Sequence, residues 1–235
     1  MNRNGNKYTF IYASVMVIIV AAILSFTAVT LKPFQDRNVE IEKKQNILAA
    51  INIETTVDEA EDVYAEKITD SYTINSKGEK TDGNAFTVNL KKQQAKPLNQ
   101  RQLPIFEADL GDNGIKYVIP LRGSGLWGPI WGYVSLDDDF NTIYGAIFDH
   151  QGETPGLGAE ITTDDFQNDF KGKTIFNKDG EFVSLIVAKA GENAPSSIKL
   201  TRFQGVQLPV KVYKTCCTTI CRHTLISSNR KSKEL

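Results

Sequence analysis

The sequence has little of several residue types on which common functions depend. Its 27 basic and 28 acidic side chains leave a formal charge of −1, whereas nucleic-acid binding would need a basic face. The 235 residues include two histidines and three cysteines, and no cysteine precedes Cys216. The motifs G-x-S-x-G, H-E-x-x-H and the P-loop are missing. The sequence therefore gives no support to nucleic-acid binding or to the enzyme classes that those motifs mark.

A long apolar run is present near the start of the chain. Residues 8–31 contain no charged side chain over 24 positions, and a helix rising about 1.5 Å per residue would span a hydrocarbon core of roughly 30 Å. A signal peptide would have an apolar core of about 7–15 residues and a small-residue cleavage site. We therefore predict a retained transmembrane helix at 8–31, preceded by a cytoplasmic tail at 1–7.

The flanking charges bear on the orientation of this helix. Arg3 and Lys7 precede it in a tail without acids, whereas Lys32 and Arg37 follow it among acidic residues. The positive-inside rule counts basic residues in short flanks, and here it only slightly favours a cytoplasmic location for the N-terminal tail. We predict a single-pass protein with a cytoplasmic N-terminus and its main domain on the periplasmic side of a bacterial inner membrane.

Residues 32–70 are predicted to form a helical linker region. Pro33 should end the span, Asp36 or Asn38 could cap a new helix running to about Ile51, and residues 54–67 could form a short second helix. Strand-like patches follow at 72–74 and 86–90, between turn residues.

The pattern between residues 101 and 195 is typical of a mostly antiparallel sheet. Runs rich in β-branched and aromatic residues alternate with turn residues, which favours hairpins. Thr163-Asp-Asp165 before two phenylalanines predicts a capped helix. The predicted strands are 103–110, 115–121, 130–136, 142–148 and 182–188. The predicted class is α+β: one N-terminal transmembrane helix, then an α+β domain at 71–195 whose mostly antiparallel sheet has packed helices.

Tryptophan and glycine are concentrated between residues 126 and 161. Glycine lets a backbone approach a flat ligand closely, and tryptophan supplies a broad apolar wall, although tight turns of a β-rich domain have the same composition. Ser124-Gly-Leu-Trp-Gly128 and Glu153-Thr-Pro-Gly-Leu-Gly158 resemble two internal motifs of a known family. That family is the FMN-binding domain of the C subunit of the sodium-translocating NADH:quinone oxidoreductases. The resemblance covers roughly residues 6–194.

This resemblance implies FMN as the cofactor, other subunits of a membrane oxidoreductase complex as partners, and electron relay without binding of NADH or quinone. It implies cofactor-binding roles for Trp127, Glu153, Thr154, Leu157 and Gly158. Trp127 would lie near the isoalloxazine ring, and Leu157 would contact it. The Thr154 hydroxyl and the backbone near Gly158 would bond its polar edge. Because flavin performs the redox chemistry itself, we expect neither catalytic acids or bases nor a metal site.

Other polar and aromatic residues in this part of the chain have structural explanations as well. Trp131 could flank the ring or lie in the core, and Asp149 and Lys173 are polar candidates for the site. His150 is expected at the surface or in a hydrogen bond. Asp137-Asp-Asp139 could suggest a cation site, but calcium takes six or more oxygen ligands, so we expect a hairpin turn.

Two other classes of protein remain open. The FMN subunit of the related ferredoxin:NAD oxidoreductase complex has a similar ETPGLG-like loop, but Leu31-Lys-Pro-Phe-Gln35 and the Ser124 motif favour the sodium pump. The second alternative is an anchored extracytoplasmic binding domain without redox activity.

Residues 196–235 do not continue the resemblance. Cys216, Cys217, Cys221 and His223 have the spacing C-C-x₃-C-x-H, which differs from the spaced ligand pairs of zinc sites, and an exposed basic tail is the ordinary interpretation. With permitted codons, however, a one-base shift from Leu200 onward can encode Ser-Gly-Gly-Thr followed by an amphipathic helix. The resemblance implies a Ser-Gly-Ala/Gly-Thr flavinylation motif, also followed by a helix, whose threonine forms a phosphoester with FMN.

We therefore predict that residues 196–235 are a frameshifted tail. The codons of Val206 and Gln207 together contain the position of that threonine, and neither residue has a hydroxyl group. The chain as written lacks the attachment residue and should not be flavinylated.

Overall fold

The computed structural model describes residues 5–176, 186–188 and 199–201, and the chain divides into two compact units, 1–43 and 44–235. The first helix, α1 (Asn6–Ala50), has 45 residues. Of the described residues, α1 is the one helix long and apolar enough to cross a membrane. Large apolar side chains between Phe10 and Leu31 are exposed along it, and such a surface is compatible with lipid. Membrane insertion at 8–31 stays a prediction.

The prediction that Pro33 ends this helix is wrong. Pro33 lies inside α1, and helical structure continues without a break to Ala50. A proline removes one backbone hydrogen bond from a helix, and the helix-forming sequence that follows outweighs that loss here. An ion pair of 2.5 Å between Lys32 and Asp36 also bridges the proline at i, i+4. The separate helix expected from Asp36 or Asn38 is therefore the continuation of α1.

A six-stranded antiparallel sheet forms the body of the second unit, as the predicted α+β class requires. Its order is β2-β1-β3-β4-β5-β6. The strands are β1 (Ile68–Ile74), β2 (Lys80–Thr81), β3 (Leu103–Asp109), β4 (Ile115–Ser124), β5 (Pro129–Leu136) and β6 (Ile143–His150). Two short strands, β7 (Ile186–Ala188) and β8 (Lys199–Thr201), pair in parallel as a separate sheet. The predicted strand at 182–188 is described only at its end, and most of the predicted tail lies outside the described residues.

Three of the predicted segments differ in detail from the observed elements. The predicted helix at 54–67 is confirmed in its second half by α2 (Ala60–Lys67). The predicted strand at 86–90 is wrong, because a 3₁₀ turn (Ala85–Thr87) and α3 (Leu90–Gln94) occupy this segment. The side chains of Asn84 and Asn89 cap these two elements, and such caps favour helical turns. The helix predicted after Thr163 is α4 (Asp164–Asn168), although no side chain caps it.

Both faces of the sheet are covered. On one face, Phe166 and Phe170 of the α4 region pack with Phe148 of β6, and the Phe148 and Phe170 ring centroids lie 4.9 Å apart. On the other face, Ile47, Leu48 and Ile51 at the end of α1 belong to the same buried cluster as strand residues. The strands β3, β4 and β5 each contribute side chains to both buried clusters, because successive side chains along a strand point to opposite faces of the sheet.

The end of α1 approaches the sheet closely at Gly145. Ser135 Oγ donates a hydrogen bond of 2.5 Å to the backbone oxygen of Ala50. A Cβ atom on Gly145 would collide with that same oxygen. The colliding atom is backbone, so it cannot rotate away as a side chain could. The glycine therefore permits the contact between the helix end and β6.

We predict that Gly145→Ala lowers the stability of the second unit by about 1–3 kcal/mol, the usual cost of overpacking a core. Gly152→Ala is the matched control, because a Cβ there meets nothing within 4 Å. Thermal unfolding of the detergent-solubilised chain measures both variants. Equal melting temperatures for the two variants would contradict the close approach at Gly145.

Candidate functional site

The turn between β4 and β5 carries the first of the two motifs. In this turn, which we call the Trp127 turn (residues 125–128), the Gly125 N–H donates to the Gly128 carbonyl over 2.7 Å. Pairing of Ser124 with Pro129 brings the two strands to the base of the turn. Leu126 is 66% exposed and Trp127 is 75% exposed. The turn thus presents two large apolar side chains at one end of the sheet.

The segment after β6 carries the second motif. We call this segment the Leu157 loop (residues 151–163). The Thr154 carbonyl accepts hydrogen bonds of 3.1 Å from the N–H groups of both Leu157 and Ala159. Gly156 has a φ of +75°, a conformation that glycine adopts without strain. Its N–H donates to the Glu160 carboxylate over 2.9 Å. These bonds hold the loop in shape while the Leu157 side chain stays 48% exposed.

One buried carboxylate joins the turn to the loop. Glu153 is 7% exposed, and its Oε1 accepts a hydrogen bond of 3.0 Å from the Trp127 N–H. The Glu153 N–H donates to His150 Nδ1 over 3.2 Å, so this nitrogen acts as an acceptor. A Cβ atom on Gly125 would collide with Oε1, and one on Gly158 would collide with Oε2. The glycines of the two motifs therefore leave the space in which this carboxylate lies.

The structure brings the five predicted cofactor-binding residues onto these two connected segments. Trp127 and Leu157 are exposed apolar side chains, and Thr154 is also exposed. Among the described residues, nothing accepts a hydrogen bond from the N–H groups of Thr154 and Gly158. Gly158 is itself buried, so the part that suits a planar heterocycle with a polar edge is the apolar surface of Trp127 and Leu157 beside the exposed Thr154. This arrangement fits a flavin.

Three weaker candidates lie outside the two motif segments. Trp131 on β5 pairs with Asp149 on β6, and directly opposed residues share a face of the sheet. Trp131 lies on the same face of the sheet as Tyr133, which is two residues further along β5. The Trp131 side chain is only partly exposed. Lys173 is joined to the start of β6, since its carbonyl accepts from the Ile143 N–H over 2.9 Å. It therefore lies at the opposite end of β6 from the Leu157 loop.

Asp137-Asp-Asp139 form a hairpin turn, as expected. Asp137 makes a 2.8 Å ion pair with Lys116, whose side chain is 7% exposed. Asp139 accepts from the Thr142 hydroxyl at 2.6 Å and from the backbone of Asn141 and Thr142. Burial acts to raise the pKa of Asp139, but these hydrogen bonds and the Lys116 charge lower it overall. In the part of the chain that the structure describes, no group of three metal-ligating side chains is found.

Sequence reasoning missed the structural part that Glu153 plays. The role of Glu153 at the cofactor stays a prediction, and the structure adds that its carboxylate is buried under the Trp127 turn. The available signal was the glycines within the two motifs, such as Gly125 and Gly158, because glycine permits a close approach of the backbone to another group.

Comparisons with known proteins bear on the fold and the family of this domain. A family model described as an FMN-binding domain matches residues 125–200, which include the second motif and all of the first except Ser124. The crystal structure of the C subunit of the Na(+)-translocating NADH-quinone reductase from Parabacteroides distasonis is 41% identical. It has a TM-score of 0.72, with 81% of this chain and 96% of that chain covered. The C subunit from Haemophilus ducreyi is 28% identical over 227 residues, with 89% of this chain and 87% of the relative covered. The crystal structure of NqrC from Shewanella oneidensis, 23% identical with a TM-score of 0.62, covers 76% of this chain and 89% of that one and shares the fold.

The fold and the two motif segments define a domain of the FMN-binding class. Identity of 41% over almost the whole of the Parabacteroides distasonis structure is high enough to decide the family. The chain belongs to the family of the C subunits of the Na(+)-translocating NADH-quinone reductases.

We predict that the two tryptophans of the chain report separately on the site. Trp131→Phe leaves Trp127, which is 75% exposed, so its emission should be strongly quenched by acrylamide. Trp127→Phe leaves the partly buried Trp131, whose emission should be bluer and less accessible to the quencher. Equal quenching of the two variants would contradict the greater exposure of Trp127 relative to Trp131.

The β5–β6 turn gives a prediction on pH. The folded-state pKa of Asp139 is lowered from its ordinary value of 3.8. The stabilisation is therefore complete above the unfolded-state pKa and is lost as pH falls through the folded-state value. Asp139→Asn should destabilise the domain at pH 7, and its deficit relative to wild type should shrink below about pH 4. Urea titrations at several pH values measure this difference, and a deficit independent of pH would contradict the assignment.

Proposed function

We propose that this chain is the FMN-carrying subunit of a sodium-translocating NADH:quinone oxidoreductase and relays electrons between cofactors of neighbouring subunits. The observation that supports this most is the 41% identity to the Parabacteroides distasonis structure, together with an FMN-binding match that starts at the Trp127 turn. These relatives favour the sodium pump over the ferredoxin:NAD oxidoreductase complex and over a domain without redox activity.

The proposed binding mode uses the Trp127 turn and the Leu157 loop. Bound flavin would supply the electron-transfer chemistry. Trp127 and Leu157 would cover its ring with apolar surface, and the Thr154 hydroxyl and the backbone near Gly158 would bond its polar edge. The chain's own contribution is thus to bind and orient the ring. Electron transfer of this kind needs no acid or base from the protein.

We propose that α1 anchors this subunit in a bacterial inner membrane. Its exposed apolar side chains from Phe10 to Leu31 would face lipid, and Arg3 and Lys7 would remain in the cytoplasm. The domain would then be periplasmic and would meet the other subunits of the complex there or within the membrane. A carrier that passes electrons on must dock with a donor and an acceptor.

We further propose that the covalent attachment of FMN is lost in the chain as written. The FMN-binding match ends at residue 200, before Val206 and Gln207, whose codons would contain the threonine in the shifted frame. Those two positions lie outside the described residues. The five proposed cofactor-binding residues, in contrast, all precede the change of frame.

The test compares two genes in a host that carries the flavin transferase. One encodes the chain as written, and the other restores the frame by insertion or deletion of one base between the codons for Pro195 and Leu200. After denaturing electrophoresis, the restored chain should show flavin fluorescence and the chain as written should be dark. The matched control is a Thr→Val change at the restored attachment threonine, which should abolish the signal.

Each proposal fails on a different result. A dark restored chain, in cells where a known flavinylated protein is labelled, would overturn the assignment as an FMN carrier. A fluorescent chain as written would overturn the frameshift, as would resequencing that finds the same unbroken frame.

A further inference from the structure

We propose that Glu153 is a positioning residue, which fixes the Trp127 turn against the Leu157 loop and so sets the shape of the surface that receives the flavin. As far as it concerns flavin, this inference rests on the proposed function. The connection between the two segments is a property of the chain itself. It can therefore be tested without the cofactor.

The burial of Glu153 requires an explanation. Among the described residues, it is the one acidic side chain that is buried, and no lysine, arginine or histidine of that part of the chain forms an ion pair with it. Removing a carboxylate from water without a cationic partner is costly.

Glu153 is held at both its backbone and its side chain. The His150 imidazole accepts from its N–H, and its Oε1 accepts from the Trp127 N–H at 3.0 Å. The carboxylate also lies against the backbone at Gly125 and Gly158, where an added Cβ atom would displace it. One side chain therefore contacts the turn that carries Trp127 and the loop that carries Leu157.

Two properties of Glu153 could matter, and they make opposite predictions. If its reach and its acceptor oxygen matter, Gln can replace it, because the two side chains have the same length and both offer an oxygen to the Trp127 N–H. If the negative charge matters, Asp can replace it, although Asp is shorter by about one carbon–carbon bond, roughly 1.5 Å. The geometry points to reach, because Oε1 and Oε2 lie against backbone atoms of the two segments and no cation is paired with them in the part of the chain described.

The first experiment uses the detergent-solubilised, flavin-free chain. Hydrogen exchange at the Trp127 amide is measured by mass spectrometry for wild type, Glu153→Gln and Glu153→Asp. We expect Glu153→Gln to exchange within about threefold of wild type. Glu153→Asp should exchange at least about tenfold faster, as loss of one hydrogen bond to a charged acceptor implies. Glu160→Gln is the matched control, since Glu160 lies on the same loop but bonds Gly156.

The second experiment uses the frame-restored chain loaded with FMN. The visible spectrum and midpoint potential of the flavin should be close to wild type in Glu153→Gln and shifted in Glu153→Asp. Unchanged exchange at amides of β4 in all variants shows that the sheet is intact, so a local effect is not confused with unfolding.

The outcomes separate the two proposals. Wild-type exchange in Glu153→Asp, or fast exchange in Glu153→Gln, overturns the positioning role even if flavin is bound. A flavin potential that follows the charge, with Asp like wild type and Gln shifted, overturns it as well. If the restored wild-type chain takes up no flavin while the exchange results hold, the proposed function fails and the link between the two segments remains.

Discussion

The structure depends on a sheet whose two faces are both buried. An antiparallel sheet often leaves one face in water, but here the end of α1 covers one face and the α4 region covers the other. Close packing on the α1 side requires that Gly145 has no side chain and that Ser135 satisfies the Ala50 carbonyl. Because packed elements cover both faces, the strands β4, β5 and β6 form a rigid support whose ends have defined positions.

The site follows from the ends of these strands. Both the Trp127 turn and the Leu157 loop begin where paired strands finish, since Ile130 of β5 pairs with His150 of β6. Strand pairing places the two backbones near each other, and the Gln151 N–H adds a hydrogen bond of 3.1 Å to the Pro129 carbonyl. The Glu153 carboxylate adds a constraint nearer the tips, because it reaches from the loop to the Trp127 N–H. A loop gains precision when a buried group ties it to a rigid element.

The predictable parts of this fold were those with a strong periodic signal. The four strands from β3 to β6 were predicted with starts within one residue, because alternating apolar residues and turn glycines specify a hairpin. The helix across Pro33 was missed, because a local rule for proline was given more weight than the helix-forming sequence around it. The segment at 86–90 was missed, because its asparagines act as caps. Burial of Glu153 was beyond sequence reasoning, because it depends on two loops that meet only in the folded chain.

The exposure of the site bears on why a covalent link would be useful. Trp127 and Leu157 remain 75% and 48% exposed, so the surface is an open platform on two short segments. Such a surface can bury only part of a flavin, and affinity for small ligands depends strongly on how much of them is buried. A tether raises the effective concentration of the ligand and compensates for weak contacts. In the proposed function, the platform orients FMN and the threonine retains it. The chain as written keeps the residues of the platform, and without the threonine their weak contacts would have to hold the cofactor without a covalent link.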